Sequence, residues 1–84
     1  MIRYTVTWHR EAEEELAELW LFASDRNEVT AAVQAIDLAL ASDAPSKGEV
    51  VAEGLRCFTA PPLRVLFATQ EADRVAQVEL VRRI

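Results

Sequence analysis

Two adjacent prolines, Pro61-Pro62, stand between two runs of strand-forming residues and constrain the fold more than any other feature of the sequence. Proline has no backbone N–H to donate, so the pair cannot continue a hydrogen-bonded ladder and predicts a turn. In the flanking runs, residues 55–59 and 63–67, side chains alternate with the period of a β-strand. The sequence therefore predicts a β-hairpin in the middle of a sheet, with one arginine on each strand, Arg56 and Arg64.

The residues around this hairpin predict four more elements. Residues 2–8 alternate between apolar and polar side chains, which predicts a half-buried strand. Residues 10–24 have helical periodicity, and a second helix follows a break at residues 25–28 and ends near Ser42. Residues 74–82 alternate again and predict the last strand.

The order β-α-α-β-β-β predicts an α+β fold, with a two-helix hairpin packed on one face of a mostly antiparallel four-stranded sheet. The last three strands are expected to form an antiparallel meander. The first strand is expected at an edge of the sheet or beside the last strand. Residues 49–52 are expected to form only a short extended piece. With 84 residues, the chain has room for one domain, which spans residues 1–84.

Side-chain periodicity predicts which residues enter the core. The core faces of the first strand, the two helices and the last strand are expected to comprise Ile2, Tyr4, Val6, Trp8, Ala12, Leu16, Leu19, Trp20, Ala23, Val29, Val33, Ile36, Leu40, Ala76, Val78 and Leu80. Val81 is expected to face outward. Leu21 and Leu38 lie off these stripes, and an exposed leucine forgoes roughly 1.5–3 kcal/mol of burial. They are expected to contact a partner protein, although loops or a homodimer mate could also cover them.

The charge balance and the few reactive side chains exclude several classes of function. Nine Lys and Arg against fourteen Asp and Glu give a net charge of −5, which argues against autonomous nucleic-acid binding. Arginine nevertheless outnumbers acidic residues in the last third of the chain. His9 and Cys57 are the only soft ligands, so no metal site, internal disulfide, nucleophile triad or cofactor is expected. The longest apolar run, residues 19–23, is far too short to span a membrane, and we expect a cytoplasmic location.

Four arginines are the strongest candidates for a functional site. Arg56 and Arg64 lie on facing hairpin strands, and Arg82 and Arg83 end the next strand. If these strands are neighbours, three guanidinium groups could share one sheet face and bind phosphate or carboxylate groups. The alternative is scattered surface charge that pairs with nearby acidic residues.

The whole pattern resembles the RelE/ParE toxin superfamily of bacterial type II toxin–antitoxin modules. The resemblance is carried by Tyr4-Thr5-Val6-Thr7-Trp8 before the first helix and by Leu63-Arg64-Val65-Leu66-Phe67 in the hairpin. The last strand, which ends in Arg82-Arg83, resembles the closing strand and basic end of the family. The resemblance implies a toxin that acts on translation, by mRNA cleavage on the ribosome, or on DNA gyrase. It also implies a small antitoxin as partner, with Leu21 and Leu38 as candidate contacts.

Site residues follow from the same resemblance. Arg64 matches the hairpin arginine of the family, a candidate for catalysis and for binding the scissile phosphate. Arg82 or Arg83 matches the basic C-terminal position, with Arg82 as a catalytic and Arg83 as a phosphate-binding candidate. Arg56 aligns loosely with the hairpin lysines and is a further catalytic candidate. This hairpin contains no lysine, and no Tyr or His follows the last strand. The alternative is therefore a non-catalytic binding or dimerisation module with the same fold.

Overall fold

A computed structural model describes residues 2–84 and contains two α-helices, one short 3-10 helix and five strands. In chain order they are β1 (Thr5–Trp8), α1 (Arg10–Phe22), α2 (Arg26–Leu40), a 3-10 turn (Ala44–Ser46), β2 (Glu49–Ala52), β3 (Leu55–Ala60), β4 (Leu63–Gln70) and β5 (Val75–Arg83). None of the helices in this described part is long and apolar enough to cross a membrane.

The sheet has five strands in the order β1-β5-β4-β3-β2, so the prediction of four strands was wrong. The additional strand is β2, which pairs antiparallel with β3 through only four residues, all of them exposed. So short a segment on a sheet edge has no buried face, and its sequence therefore lacks the alternation that would identify it. The predicted meander of β3, β4 and β5 is confirmed, and β1 lies parallel to β5 at the other edge.

The core lies between one face of the sheet and the two helices. Its sheet side is formed mainly by three inward residues of β4, Leu63, Val65 and Phe67, each with no exposed surface. The predicted α2 seam is confirmed, because Val29, Ile36 and Leu40 are fully buried and Val33 packs against them. Burying side chains of this size contributes roughly 1.5–3 kcal/mol each, so this contact supplies much of the driving force for folding.

A register shift between β4 and β5 reverses one predicted face. Leu66 pairs with Leu80, but the next residue, Phe67, pairs with Val78, so β5 contains one extra residue. This β-bulge flips the side chains that follow it. Val81 is fully buried, while Leu80 lines the outer face of the sheet. The expectation that Leu80 faces the core and Val81 faces outward was therefore wrong.

Two other predicted core residues lie at the margin. Ile2 is 46% exposed because β1 begins only at Thr5, although a bridge from Arg3 to Ser42 extends the contact with the end of α2. Trp20 is 42% exposed, although its helix stripe otherwise packs against the core. The indole Nε1–H of Trp20 donates to Thr30 Oγ1 at 3.2 Å, across the gap between the two helices.

The bulge can be tested by truncating the two residues whose faces it exchanges. We expect Val81→Ala to lower the free energy of unfolding by about 2 kcal/mol, because it leaves a cavity in the core. Leu80→Ala removes a larger side chain but should cost about 1 kcal/mol or less, since Leu80 is only partly buried. Urea unfolding of both variants measures the difference. The reverse ranking would contradict the register described for β5.

Candidate functional site

Arg64 and Arg82 lie directly opposite each other in the pairing of β4 with β5 and border the outer face of the sheet, although the Arg82 guanidinium also reaches α1. They border a shallow groove of about 250 Å³. Its lining consists of Val51, Cys57, Arg64, Leu66, Leu80 and Arg82. The bulge in β5 creates this arrangement, because without the extra residue Arg82 would point to the helix side.

The two arginines differ in what holds them. Like charges directly opposite each other on a sheet are unfavourable unless something compensates them. Arg82 donates to the carboxylate of Glu15 on α1 and, at 3.0 Å, to the carbonyl of Val81. Arg64 donates through Nε to the thiol sulfur of Cys57 at 3.0 Å, and within residues 2–84 it forms no ion pair. Arg64 is therefore the cation of this groove that remains available for an anion.

Arg56 lies on the other face of the sheet, where it has a structural contact. Its Nε donates to the carbonyl of Lys47 at 2.8 Å, and its Nη2 donates to the carbonyl of Gly48 at 3.1 Å. Gly48 has φ +65°, and a Cβ at this position would lie 1.9 Å from the carbonyl oxygen of Cys57. Arg56 thus ties the tightly packed loop before β2 to β3.

Arg83 also faces the helix side. Its guanidinium binds the Asp25 carboxylate with two parallel hydrogen bonds, of 2.9 Å and 2.5 Å. These hydrogen bonds lower the pKa of Asp25 and raise that of Arg83. Since Asp25 connects the two helices, the pair fixes the helical hairpin to the end of β5. The structure therefore brings Arg64 and Arg82 together and separates Arg56 and Arg83 from them.

The groove lining determines what chemistry this face can perform. It offers two guanidinium groups, one thiol and alkyl side chains, and the Glu15 carboxylate that contacts Arg82 is paired with it. Guanidinium groups bind and stabilise negative charge, but they do not accept a proton at neutral pH. The lone histidine, His9, is the N-cap of α1, where its Nδ1 accepts from the Glu11 amide at 3.2 Å. The groove is thus suited to binding an anion.

A second surface, a groove between α1 and α2, was not found from the sequence. It has a volume of about 670 Å³, and its lining is almost entirely apolar: Trp8, Glu13, Leu16, Ala17, Trp20, Leu21, Val29, Thr30 and Val33. Leu21, which was expected to contact a partner, lies here and is 57% exposed. Leu38, 75% exposed, lies outside this groove. Trp20 gave no signal in the sequence, because its spacing matched a buried stripe.

Comparison with solved structures shows which known fold this is. The structure superimposes on the toxin–antitoxin complex RelBE2 from Mycobacterium tuberculosis with a TM-score of 0.81 at 18% identity, over 100% of this chain and 94% of that one. The chromosomal ParDE toxin–antitoxin system of P. aeruginosa gives 0.71 at 20% identity, over 98% and 97% of the chains. The isolated E. coli RelE toxin gives 0.68 at 13% identity, over 95% and 83%. No family model and no curated protein matches the sequence. The chain therefore has the RelE/ParE toxin fold, as its sequence pattern predicted.

The ion pair between Asp25 and Arg83 predicts an acid-labile contribution to stability. Because the folded-state pKa of Asp25 lies below its ordinary value of 3.8, the pair stabilises the protein above that pH. The stabilisation is lost as pH falls through the folded-state value. We expect wild type to exceed Asp25→Asn in Tm at neutral pH, and the difference to shrink as pH falls below 3.8 and through the lowered folded-state pKa of Asp25.

An Arg83→Gln background provides the control for this measurement. There, the Tm difference caused by Asp25→Asn should depend less on pH, since the guanidinium that is the largest cause of the lowered carboxyl pKa is gone. A pH-dependent difference that is equally large without Arg83 would contradict the assignment.

Proposed function

We propose that this protein is the toxin of a toxin–antitoxin pair. The proposal is supported by the fold, which matches the RelBE2 and ParDE structures over at least 94% of both chains and the RelE toxin over 95% of this chain and 83% of that one. Because one fold can host many functions, the site has to support the same conclusion. The single observation that carries it is the pair of opposed arginines, Arg64 and Arg82, which border an open groove on the outer face of the sheet.

Arg64 and Arg82 are suited to binding an anionic group of the target, such as a phosphate. Arg64 forms no ion pair in the described chain, so it can bind an anion at once. Arg82 can join it only by exchanging Glu15 for the incoming anion. Arg56 and Arg83 are assigned supporting roles, since both are bound to groups of the scaffold. This division differs from the roles that the family resemblance implied for them.

The antitoxin is the partner that we expect on the helical side. Leu21 and Leu38 are 57% and 75% exposed, and each forgoes roughly 1.5–3 kcal/mol of burial in the isolated chain. Exposed apolar residues of this kind mark protein–protein contacts. A homodimer mate is the competing explanation for both residues.

The groove lining favours a target that the toxin binds over an RNA that the toxin cleaves. Cleavage of RNA by its own 2′-hydroxyl needs a group that removes the proton; the groove lining offers none, and the neighbouring Glu15 carboxylate is paired with Arg82. Inhibition of DNA gyrase requires no such group in the toxin, so it is preferred to mRNA cleavage. The second candidate is a non-toxic binding module, which is favoured by the ion pair between Arg82 and Glu15.

Induced expression in bacteria tests the toxin role and the site together. We expect wild type to arrest growth and Arg64→Ala to relieve the arrest by at least about tenfold in surviving cells, because the available cation is lost. Arg3→Ala is the matched control, since Arg3 is exposed and lies outside the groove. Co-expression of the antitoxin should restore growth.

Three results would redirect the proposal. Harmless expression of wild type at full protein level contradicts the toxin role and favours the binding module. Growth arrest that persists in the Arg64→Ala variant contradicts the proposed anion-binding site but not the toxin role. Cleavage of translated mRNA during the arrest would show that the target is translation and that a proton acceptor comes from outside the groove lining.

A further inference from the structure

Two guanidinium groups border the outer groove, and they differ in whether a carboxylate neutralises them. The Arg82 guanidinium donates to the Glu15 carboxylate of α1 and to the carbonyl of Val81. Arg64, its cross-strand partner, forms no ion pair within residues 2–84. Glu15 itself does not belong to the groove lining. A carboxylate from outside the groove therefore controls one of the two cations.

The end of β5 permits this contact because, in the described chain, it has a strand neighbour on one side only. β1 ends at Trp8, which pairs with Val78, so β4 is the only strand beside residues 79–83. α1 also packs against β5, which brings its side chains within reach of that open edge. The Arg82 side chain borders the groove and reaches α1 across the edge.

We propose that Glu15 is an internal competitor for the anion-binding groove. Its carboxylate occupies on Arg82 the place that an anionic group of the target has to take, and it thereby lowers the affinity of the groove. The proposal deepens the proposed function and rests on its assignment of Arg64 and Arg82 as the anion-binding pair. It adds that a residue of α1, outside the groove, sets how tightly that pair binds.

Competition follows from the chemistry of the two anions. A carboxylate and a phosphate both bind a guanidinium by presenting oxygens to its N–H groups, so they compete for the same cation. While Glu15 is paired with Arg82, its negative charge also offsets the attraction that the guanidinium exerts on a second anion. An incoming anion gains the full attraction of Arg82 only when Glu15 has released it.

The surroundings of Glu15 favour the paired state. Glu15 lines a second cleft, of about 440 Å³, together with Glu18 and Asp25. Asp25 is paired with Arg83, whereas Glu18 forms no ion pair within residues 2–84. Glu15 and Glu18 are three residues apart on α1, a spacing at which like charges repel. Releasing Arg82 would therefore leave two unpaired carboxylates side by side.

The expected strength of the competition is moderate. The ion pair is partly exposed, with 55% of the Arg82 side chain and 32% of the Glu15 side chain accessible to solvent. Solvent and salt screen such pairs, and one of them changes an equilibrium by at most about fivefold. Glu15 is thus expected to weaken binding without abolishing it, so that a ligand with several negative charges displaces it.

An NMR titration with inorganic triphosphate, followed by backbone amide signals, tests the competition. We expect Glu15→Gln to bind triphosphate about threefold to fivefold more tightly than wild type, because Arg82 is then free for it. Glu18→Gln is the matched control, since it removes the same charge from the same face of α1 but breaks no ion pair within residues 2–84. It should tighten binding less than about twofold at roughly 0.1 M salt, where distant charges are screened.

A second background shows whether Glu15 acts through Arg82. In Arg82→Gln protein, Glu15→Gln and Glu18→Gln should have equal effects, because the guanidinium that Glu15 neutralises is absent. The amide spectra also show that each variant is folded. Equal effects of the two substitutions in the wild-type background would overturn the competition. So would a difference that persists without Arg82, or triphosphate binding to neither wild type nor Glu15→Gln.

Arg64→Gln separates this result from the proposed function. Triphosphate affinity that does not depend on Arg64 would contradict the anion-binding pair, and with it the competition. Equal effects of Glu15→Gln and Glu18→Gln, with binding that still depends on Arg64, would overturn the competition alone. Toxicity plays no part in these measurements, so harmless expression in cells leaves the binding results standing.

Discussion

The extra residue in β5 is the constraint on which the placement of the charged groups depends. The inner face of the sheet must be apolar, because α1 and α2 cover it, and Val78 and Val81 both contribute to that face. These valines are three residues apart, so a regular strand would place them on opposite faces. The bulge resolves the conflict. It thereby turns Arg82 outward, opposite Arg64, and turns Arg83 inward, towards Asp25.

The protein separates its charges by element, and this separation gives its two surfaces opposite electrostatic character. Glutamates crowd α1, whereas arginines lie near the start of β4 and at the end of β5. Ion pairs from Arg82 to Glu15 and from Arg83 to Asp25 join the two groups. Exposed pairs of this kind contribute little stability, so their importance lies in where they hold each guanidinium. Although the net charge is −5, the protein therefore has a cationic groove on the outer sheet face and an acidic rim along the helices.

The sequence predicted the features that side-chain periodicity encodes and missed the features that it does not encode. The α2 seam and the hairpin around Pro61-Pro62 were predicted, since many buried side chains repeat the same signal. The bulge was missed, because one inserted residue changes which face the following side chains occupy but leaves an apolar pattern that still fits a regular strand. The helical groove was missed because Trp20 matches a core stripe by spacing, although the structure leaves 42% of its surface exposed. Which of four arginines share a face depends on register, which composition does not encode.

The central claim is that Arg64 and Arg82, and not Arg56 or Arg83, form the anion-binding face. NMR detection of the arginine Nε–Hε groups tests it most directly, during titration with a short single-stranded RNA at low salt, where phosphate contacts are strongest. The account predicts that the signals of Arg64 and Arg82 shift with one common affinity, while those of Arg56 and Arg83 stay in place. Shifts in the signals of Arg56 or Arg83, with the signal of Arg64 unchanged, would contradict it.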